Sequence, residues 1–164
     1  MKKKWVFALL GICLAAAVLL LLLPREGSLA ELNQNSRLPV PLCTPEDQAL
    51  EQLTESLTYV PGFGIYALDN DDICVHFSGW PDLSDGYHAV GIDLFSPGYH
   101  ILGLQVGDSL ENARDILSQY GYKSDEQGLR YKRQDLSVTL YAENGLLTRI
   151  DLRAQSTNKH KLVF

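Results

Sequence analysis

The sequence predicts an α+β protein in which an N-terminal transmembrane helix precedes two units, each made of one helix and a three-stranded antiparallel meander. Three observations lead to this fold class: a charge-free apolar run near the N terminus, two later segments with apolar residues at helical spacing, and strand-like alternation after each of them. In a chain of 164 residues, neither unit alone is long enough to bury a large core. We therefore expect the two units to form one sheet with the helices on one face.

The membrane anchor is predicted over residues 1–23. Trp5–Leu23 is an unbroken run of 19 residues without a charge, and a helix of that length extends about 29 Å, close to the hydrocarbon thickness of a bilayer. Lysines precede the run, which predicts a cytoplasmic N terminus and an extracytoplasmic remainder. A cleaved signal peptide is the alternative. No small-residue cleavage pattern precedes Pro24, however, and this favours an uncleaved signal-anchor.

The first unit is predicted over residues 43–100, after a flexible spacer at residues 24–42 that shows no sustained period. Thr44 as N-cap and Pro45 at the first helical position indicate the start of a helix, which Pro61-Gly62 is expected to end. Alternating apolar residues then predict three strands, at residues 64–68, 72–78 and 90–94, with a turn at Asp69-Asn70-Asp71.

The second unit is predicted over residues 101–153, followed by a tail at residues 154–164. Its helix begins after Ser109 and ends at Gly121, and Asn144-Gly145 is a strong hairpin signal between its last two strands. The three strands are predicted at residues 129–132, 136–141 and 146–153. The strand patterns at 72–77 and 90–94 match those at 135–140 and 148–152, which predicts a tandem repeat.

The segment Ile101–Leu152 carries a family resemblance. Gly103 and Gly107 form a Gly-x-x-x-Gly entry to the helix, and the following meander closes on the Asn144-Gly145 turn. In these features the chain resembles the SmpA/OmlA (BamE-like) family and the fold shared with the β-lactamase inhibitor proteins. The resemblance implies a non-catalytic domain that acts by contact with another protein. The lipobox of BamE-like proteins is missing around Cys13, so a role in outer-membrane assembly is not implied.

Cys43 and Cys74 are the two cysteines beyond the predicted anchor. In an oxidising compartment they could form a disulfide, and a bridge that closes a loop of about 30 residues would add roughly 3–4 kcal/mol of stability. The alternative is two free thiols, because strand alternation points Cys74 away from Ile73 and Val75. Both interpretations remain open at the level of sequence.

The sequence predicts no catalytic residues, no cofactor and no metal, and we expect a protein that is not an enzyme. Catalytic and phosphate-binding motifs are missing from the sequence. The segment Asp69–Asp72 lacks the glycine and distal glutamate of a calcium loop. Four possible zinc ligands share no short ligand spacing: Cys74, His76, His88 and His100. A hydrolase that uses Cys74 with His76 or His88 is the less favoured enzymatic alternative, since residues two apart on one strand face are expected to pair poorly.

Charge is distributed unevenly along the chain. Residues 24–164 carry 11 basic and 20 acidic side chains, which argues against a nucleic-acid partner. Residues 44–100 contain ten acidic and no basic side chains, whereas residues 101–164 contain nine basic and eight acidic ones. The acidic half indicates either a surface for a basic partner or cations, or one that only maintains solubility.

We predict that the protein is a membrane-anchored, extracytoplasmic interaction domain that binds another cell-envelope protein. One face of the second-unit sheet carries arginine and tyrosine, which are enriched at interfaces, together with Leu147 and Asp151. A merely solvated sheet face is the alternative explanation, and an extracytoplasmic sensor of cations or small ligands is the alternative function. The candidate partner-binding residues are Trp80, Arg130, Lys132, Tyr141, Arg149 and Arg153.

Overall fold

The computed structural model describes residues 28–53, 56–62, 65–79 and 86–155. The elements in this part of the chain are α1 (Ser28–Gln34), α2 (Glu46–Gln52), β1 (Thr58–Pro61), β2 (Ile65–Asp69), β3 (Ile73–Gly79), β4 (Tyr87–Leu94), α3 (Leu110–Gln119), β5 (Lys123–Ser124), β6 (Arg130–Arg133), β7 (Leu136–Glu143) and β8 (Leu146–Ala154). The strands form one antiparallel sheet in the order β1-β2-β3-β4-β8-β7-β6-β5. Two runs of four sequential strands therefore meet at the β4–β8 pair.

The architecture corrects the predicted fold class. The described chain is mostly sheet, with eight strands and three short helices, and each half contributes four strands rather than three. The two strands that the sequence pattern does not predict are the edge strands β1 and β5. All the residues of β1 are exposed and β5 has only two residues, so neither shows the buried alternation that predicts a strand. Helix α2 ends at Gln52, well before Pro61, which lies on an edge strand where its missing N–H is tolerated.

The predicted transmembrane helix and the single-pass membrane localisation are also corrected. Among the described residues, no helix is long and apolar enough to cross a bilayer. A membrane span needs about 20 apolar residues, whereas α3 has ten. The predicted anchor, Trp5–Leu23, lies outside the residues that the structure describes.

The segment predicted as a flexible spacer is folded from Ser28 onward. Helix α1 places Leu32 in the hydrophobic core, and Val40 is buried further along the same segment. The Glu31 carboxylate forms an ion pair with Arg133 at the end of β6. Helix α1 has only seven residues, too few to establish a period that distinguishes it from a linker.

The core lies between one face of the sheet and the three helices. Buried residues of the helices, such as Leu32 and Leu117, belong to the same apolar cluster as Val75 on β3 and Ile150 on β8. Helix α3 begins as predicted, because the Ser109 side chain accepts a hydrogen bond of 3.2 Å from the Asn112 backbone N–H.

Two β-bulges determine which residues of the central strands face the core. The extra residue is Val90 in β4 and Thr148 in β8, which are the first residues of the two segments matched in the sequence. The bulge at Thr148 buries Leu147 to 2% exposure and leaves Leu146 52% exposed, the reverse of their predicted positions. A bulge inserts one unpaired residue, so the alternation changes sides there.

We expect Leu32→Ala to lower the free energy of unfolding by about 2–5 kcal/mol, because it leaves a cavity in the core. Urea denaturation of the full chain measures this loss. Gln34→Ala on the same helix is the matched control, since Gln34 is exposed, and it should change stability by less than about 0.5 kcal/mol. Equal, small effects of the two variants would mean that α1 does not contribute to the core.

Candidate functional site

The sheet face opposite the helices carries a group of polar residues at its centre. Cys74 on β3 pairs with Asp93 on β4, and Asp93 pairs in turn with Asp151 on β8. Cross-strand partners point to the same face of a sheet, so the three side chains form a row across the β4–β8 seam. All three residues are buried, at 7%, 3% and 8% exposure. Together with His76, Arg149 and Arg153 they make up what we call the central polar cluster.

Two arginines neutralise the two aspartates. Arg149 Nη2 donates to Asp93 Oδ2 at 3.0 Å and to Asp151 Oδ2 at 2.9 Å. Arg153 forms an ion pair with Asp93 and lies 3.9 Å from Asp151. Each guanidinium thus bridges both carboxylates, and the four charges form a closed ring. Such a ring satisfies buried charges that would otherwise destabilise the sheet by several kcal/mol.

Neighbouring residues fix the orientation of both arginines. A Cβ atom on Gly91 would lie 2.7 Å from Arg153 Cδ, so the absence of a side chain at Gly91 lets Arg153 lie across β4. The Arg149 guanidinium lies 5.3 Å from the ring centroid of Phe95 and 4.9 Å from that of Tyr141, within cation–π range. The cluster is therefore held by packing as well as by charge.

The two halves of the sheet support their aspartates in a similar way. His76 Nε2 on β3 lies 3.0 Å from Asp93 Oδ2, and the Tyr141 hydroxyl on β7 donates to Asp151 Oδ2 at 3.2 Å. Burial alone would raise the pKa of Asp93, but hydrogen bonds from His76 and Arg153 outweigh it and lower that pKa to about 2. Asp93 is therefore ionised at neutral pH.

His76 also contacts the thiol of Cys74. Cys74 Sγ lies 3.4 Å from His76 Nε2, which corrects the expectation that these two side chains pair poorly. Burial and the nearby Asp93 carboxylate raise the pKa of Cys74 to about 11. The thiol is thus protonated at neutral pH, whereas a catalytic cysteine needs a lowered pKa. His88 faces Ser78, four residues beyond Cys74 along β3, or about 13 Å away at strand spacing.

One further residue set emerges only in three dimensions. The ligand atoms of Cys74, His76 and Asp93 lie within 4.8 Å of one another, a separation at which they could hold a metal ion. Cys74 and His76 are recognisable in the sequence as possible ligands, but Asp93 is not, because 17 residues separate Asp93 from His76. The prediction that the possible ligands share no short spacing overlooks the Cys-x-His spacing of Cys74 and His76, which places both side chains on one face of the strand.

The predicted partner-binding residues fall into two groups. Arg149 and Arg153 belong to the central polar cluster and are occupied by its aspartates. The other three that the structure describes, on strands β6 and β7, are exposed on the same face: Arg130, Lys132 and Tyr141. Trp80 lies outside the described residues.

Of the two interpretations left open for the cysteines, the structure has the free thiols: Cys43 and Cys74 are both free and buried. Cys43 belongs to the hydrophobic core between the sheet and the helices, whereas Cys74 contacts His76 on the opposite face. The sheet separates the two sulfur atoms, and a disulfide requires Cβ atoms about 4 Å apart. Burial raises the pKa of Cys43 to about 12.

We expect Gly91→Ala to destabilise the protein by about 1–3 kcal/mol, because the new methyl group displaces Arg153 from the ring. In an Arg153→Ala background the same substitution should be neutral or slightly stabilising, since alanine is preferred over glycine within a strand. A double-mutant cycle measured by urea denaturation gives the coupling between the two positions. An identical effect of Gly91→Ala in both backgrounds would contradict this contact.

We expect both described cysteines to resist alkylation by iodoacetamide in the native protein near neutral pH, because each is buried with a raised pKa. Mass spectrometry of a Cys13→Ser variant should show no label before denaturation and two labels after it, without any reductant. Rapid native labelling would indicate a reactive thiol. Labels that appear only after reduction would reveal a disulfide.

Comparison with known proteins identifies no relative of this chain. No family model matches the chain, and neither the curated proteins nor the solved structures contain a match. The resemblance to the SmpA/OmlA and inhibitor proteins stays a prediction.

Proposed function

We propose that this chain is a non-catalytic binding domain whose open sheet face binds an acidic segment of a partner protein. The observation that carries the proposal is a group of exposed cations beside a tyrosine on one face of the sheet. We call the three cations the basic strip: Lys123, Arg130 and Lys132, with Tyr141 beside them. The strip on β5 and β6, with Tyr141 on β7, lies next to the central polar cluster.

The cations of the basic strip are close neighbours. Lys123 pairs directly with Lys132 across β5 and β6, and Arg130 follows on the same face of β6. Like charges opposite each other destabilise a sheet. Among the described residues, no ion pair involves any of the three. A carboxylate-bearing partner would relieve this repulsion, which gives the strip a defined preference of charge.

Tyr141 supplies an apolar contact beside these charges. Its residue surface is 42% exposed, while its hydroxyl is held by Asp151 and its ring lies against the Arg149 guanidinium. A large side chain that is already fixed loses little entropy on binding, and tyrosine is enriched among residues that dominate interface energies. The charged strip would thus select the partner, and Tyr141 would anchor it.

The chemistry of the face supports binding rather than catalysis. The raised pKa of Cys74 disfavours a thiolate nucleophile, and the ring of ion pairs already occupies Asp93 and Asp151. The resemblance to inhibitor proteins implies the same kind of role, namely action by contact.

The proposal is tested in two steps, beginning with a photo-reactive phenylalanine analogue in place of Tyr141. A protein cross-linked at this position is identified, purified and titrated against the wild-type domain. We expect Arg130→Glu with Lys132→Glu to weaken that affinity at least tenfold, and we expect binding to weaken as salt rises. Reversal of the partner's acidic residues should restore the affinity of the double variant.

The matched control is Arg37→Glu combined with Arg114→Glu, two exposed arginines outside the basic strip, and it makes the same change in net charge. Arg114 is exposed on α3, so the control should change the affinity by less than about twofold, as expected for surface substitutions. Equal losses for the two double variants would reduce the effect to net charge and overturn the proposal. The same cross-linking probe is also placed at exposed Ser118. If the probe at position 141 captures only the proteins that the probe at position 118 captures, the proposal is overturned as well.

A further inference from the structure

The open face at β3 and β4 holds three metal-ligating side chains, separate from the residues of the proposed partner site. Cys74 Sγ and His76 Nε2 are 3.4 Å apart, and His76 Nε2 and Asp93 Oδ2 are 3.0 Å apart. Around a tetrahedral zinc ion, with bonds of 2.0–2.3 Å to sulfur, nitrogen and oxygen, ligand atoms are separated by about 3.4–3.6 Å. Two of the three separations are therefore close to those of a coordinating arrangement, and the third, between the ligand atoms of Cys74 and Asp93, is at most 4.8 Å.

We propose that Cys74, His76 and Asp93 form a site for a divalent transition metal of the zinc type, with Arg153 as the cation that the metal displaces. The chemistry of the donors favours this class of ion, because thiolate and imidazole bind borderline and soft metals, whereas calcium and magnesium take oxygen ligands. Three protein ligands leave a fourth position for water or for a ligand from outside the chain. His76 is 25% exposed, so that position is reachable from the surface.

Arg153 places its positively charged guanidinium next to His76 and Asp93, where the metal ion would bind. Its Nη2 lies 3.2 Å from His76 Nε2, and its Nη1 forms an ion pair with Asp93. A metal between His76 and Asp93 would take over both contacts. Arg153 retains an alternative partner in Asp151, whose carboxylate lies 3.9 Å from Nη2 in this arrangement. Displacement therefore leaves no buried carboxylate without a counter-charge.

Binding also requires a change of protonation. Cys74 must release its thiol proton to solvent as the metal–sulfur bond forms, and His76 must offer an unprotonated Nε2. The two positive charges of the metal ion are then neutralised by the thiolate and the Asp93 carboxylate. The two arginines, Arg149 and Arg153, face only the Asp151 carboxylate, so one positive charge is left in excess. That excess predicts a site weaker than a structural zinc centre, and one that Arg153 controls.

Cobalt(II) provides the readout that separates this site from nonspecific binding. The full chain, without a histidine tag and after removal of metals with a chelator, is titrated with cobalt(II) and then with zinc. We expect the protein to bind one equivalent of cobalt. The complex should show a thiolate-to-cobalt charge-transfer absorption in the near ultraviolet and visible bands typical of tetrahedral cobalt. Both absorptions should disappear when zinc is added. A wild-type protein that shows no charge-transfer absorption would overturn the proposal.

Variants assign the ligands and the competing cation. Cys74→Ser should abolish the charge-transfer absorption, and His76→Gln should weaken cobalt binding at least tenfold; His100→Gln, outside the cluster, should change neither. Arg153→Met should strengthen binding severalfold, because it removes the competing charge and keeps the aliphatic stem. Circular dichroism of each variant without metal confirms that it is folded. Unchanged cobalt affinity in a folded His76→Gln protein, or weaker binding by Arg153→Met, would refute the assignment.

Discussion

Two aspartates that face each other across the β4–β8 seam impose the main constraint on this structure. Asp93 and Asp151 are both buried and directly opposed, an arrangement that is destabilising unless positive charge lies between them. Arg149 and Arg153 provide that charge, each by contacting both carboxylates. Because one aspartate comes from each half of the sheet, the same contacts join the halves into one unit. The hydrophobic core on the other face depends on that junction for its continuity.

Local sequence signals predict several elements that local chemistry determines, although not the start of α2, where Pro45 rather than Thr44 is the N-cap and no side chain caps the helix. The Asn144-Gly145 turn is present with both residues at positive φ, the conformation that a two-residue hairpin requires, and the Ser109 cap begins α3 as expected. The edge strands and the bulges were beyond such signals. β1 is exposed throughout and β5 is two residues long. The bulge at Thr148 reverses the sides of Leu146 and Leu147 through pairing with β7, and no local pattern marks it.

In the candidate site, too, local sequence predicts some features, whereas others depend on how the strands pair. The alternation of β8 placed Arg149, Asp151 and Arg153 on one face, which the structure bears out through their shared contacts. The role of these arginines could not be predicted, because it depends on Asp93, and Asp93 meets them only once β4 pairs with β8. Strand order is a property of the whole sheet, and a single sequence contains no direct signal for it. The arginines therefore looked like free interface residues although they are ion-paired.

The basic strip and the central polar cluster suit different ligands, because only in the cluster do the arginines already form ion pairs with aspartates. The basic strip consists of cations whose charge no aspartate of the cluster neutralises, so a partner can bind it without breaking an existing ion pair. The central polar cluster is different, because a ligand there must replace a contact that already stabilises the sheet. Only a species with more concentrated positive charge than a guanidinium, or with affinity for sulfur, gains by that exchange, and a divalent transition metal has both properties. The buried aspartates thus restrict the cluster to cations, whereas the exposed strip beside it favours anions.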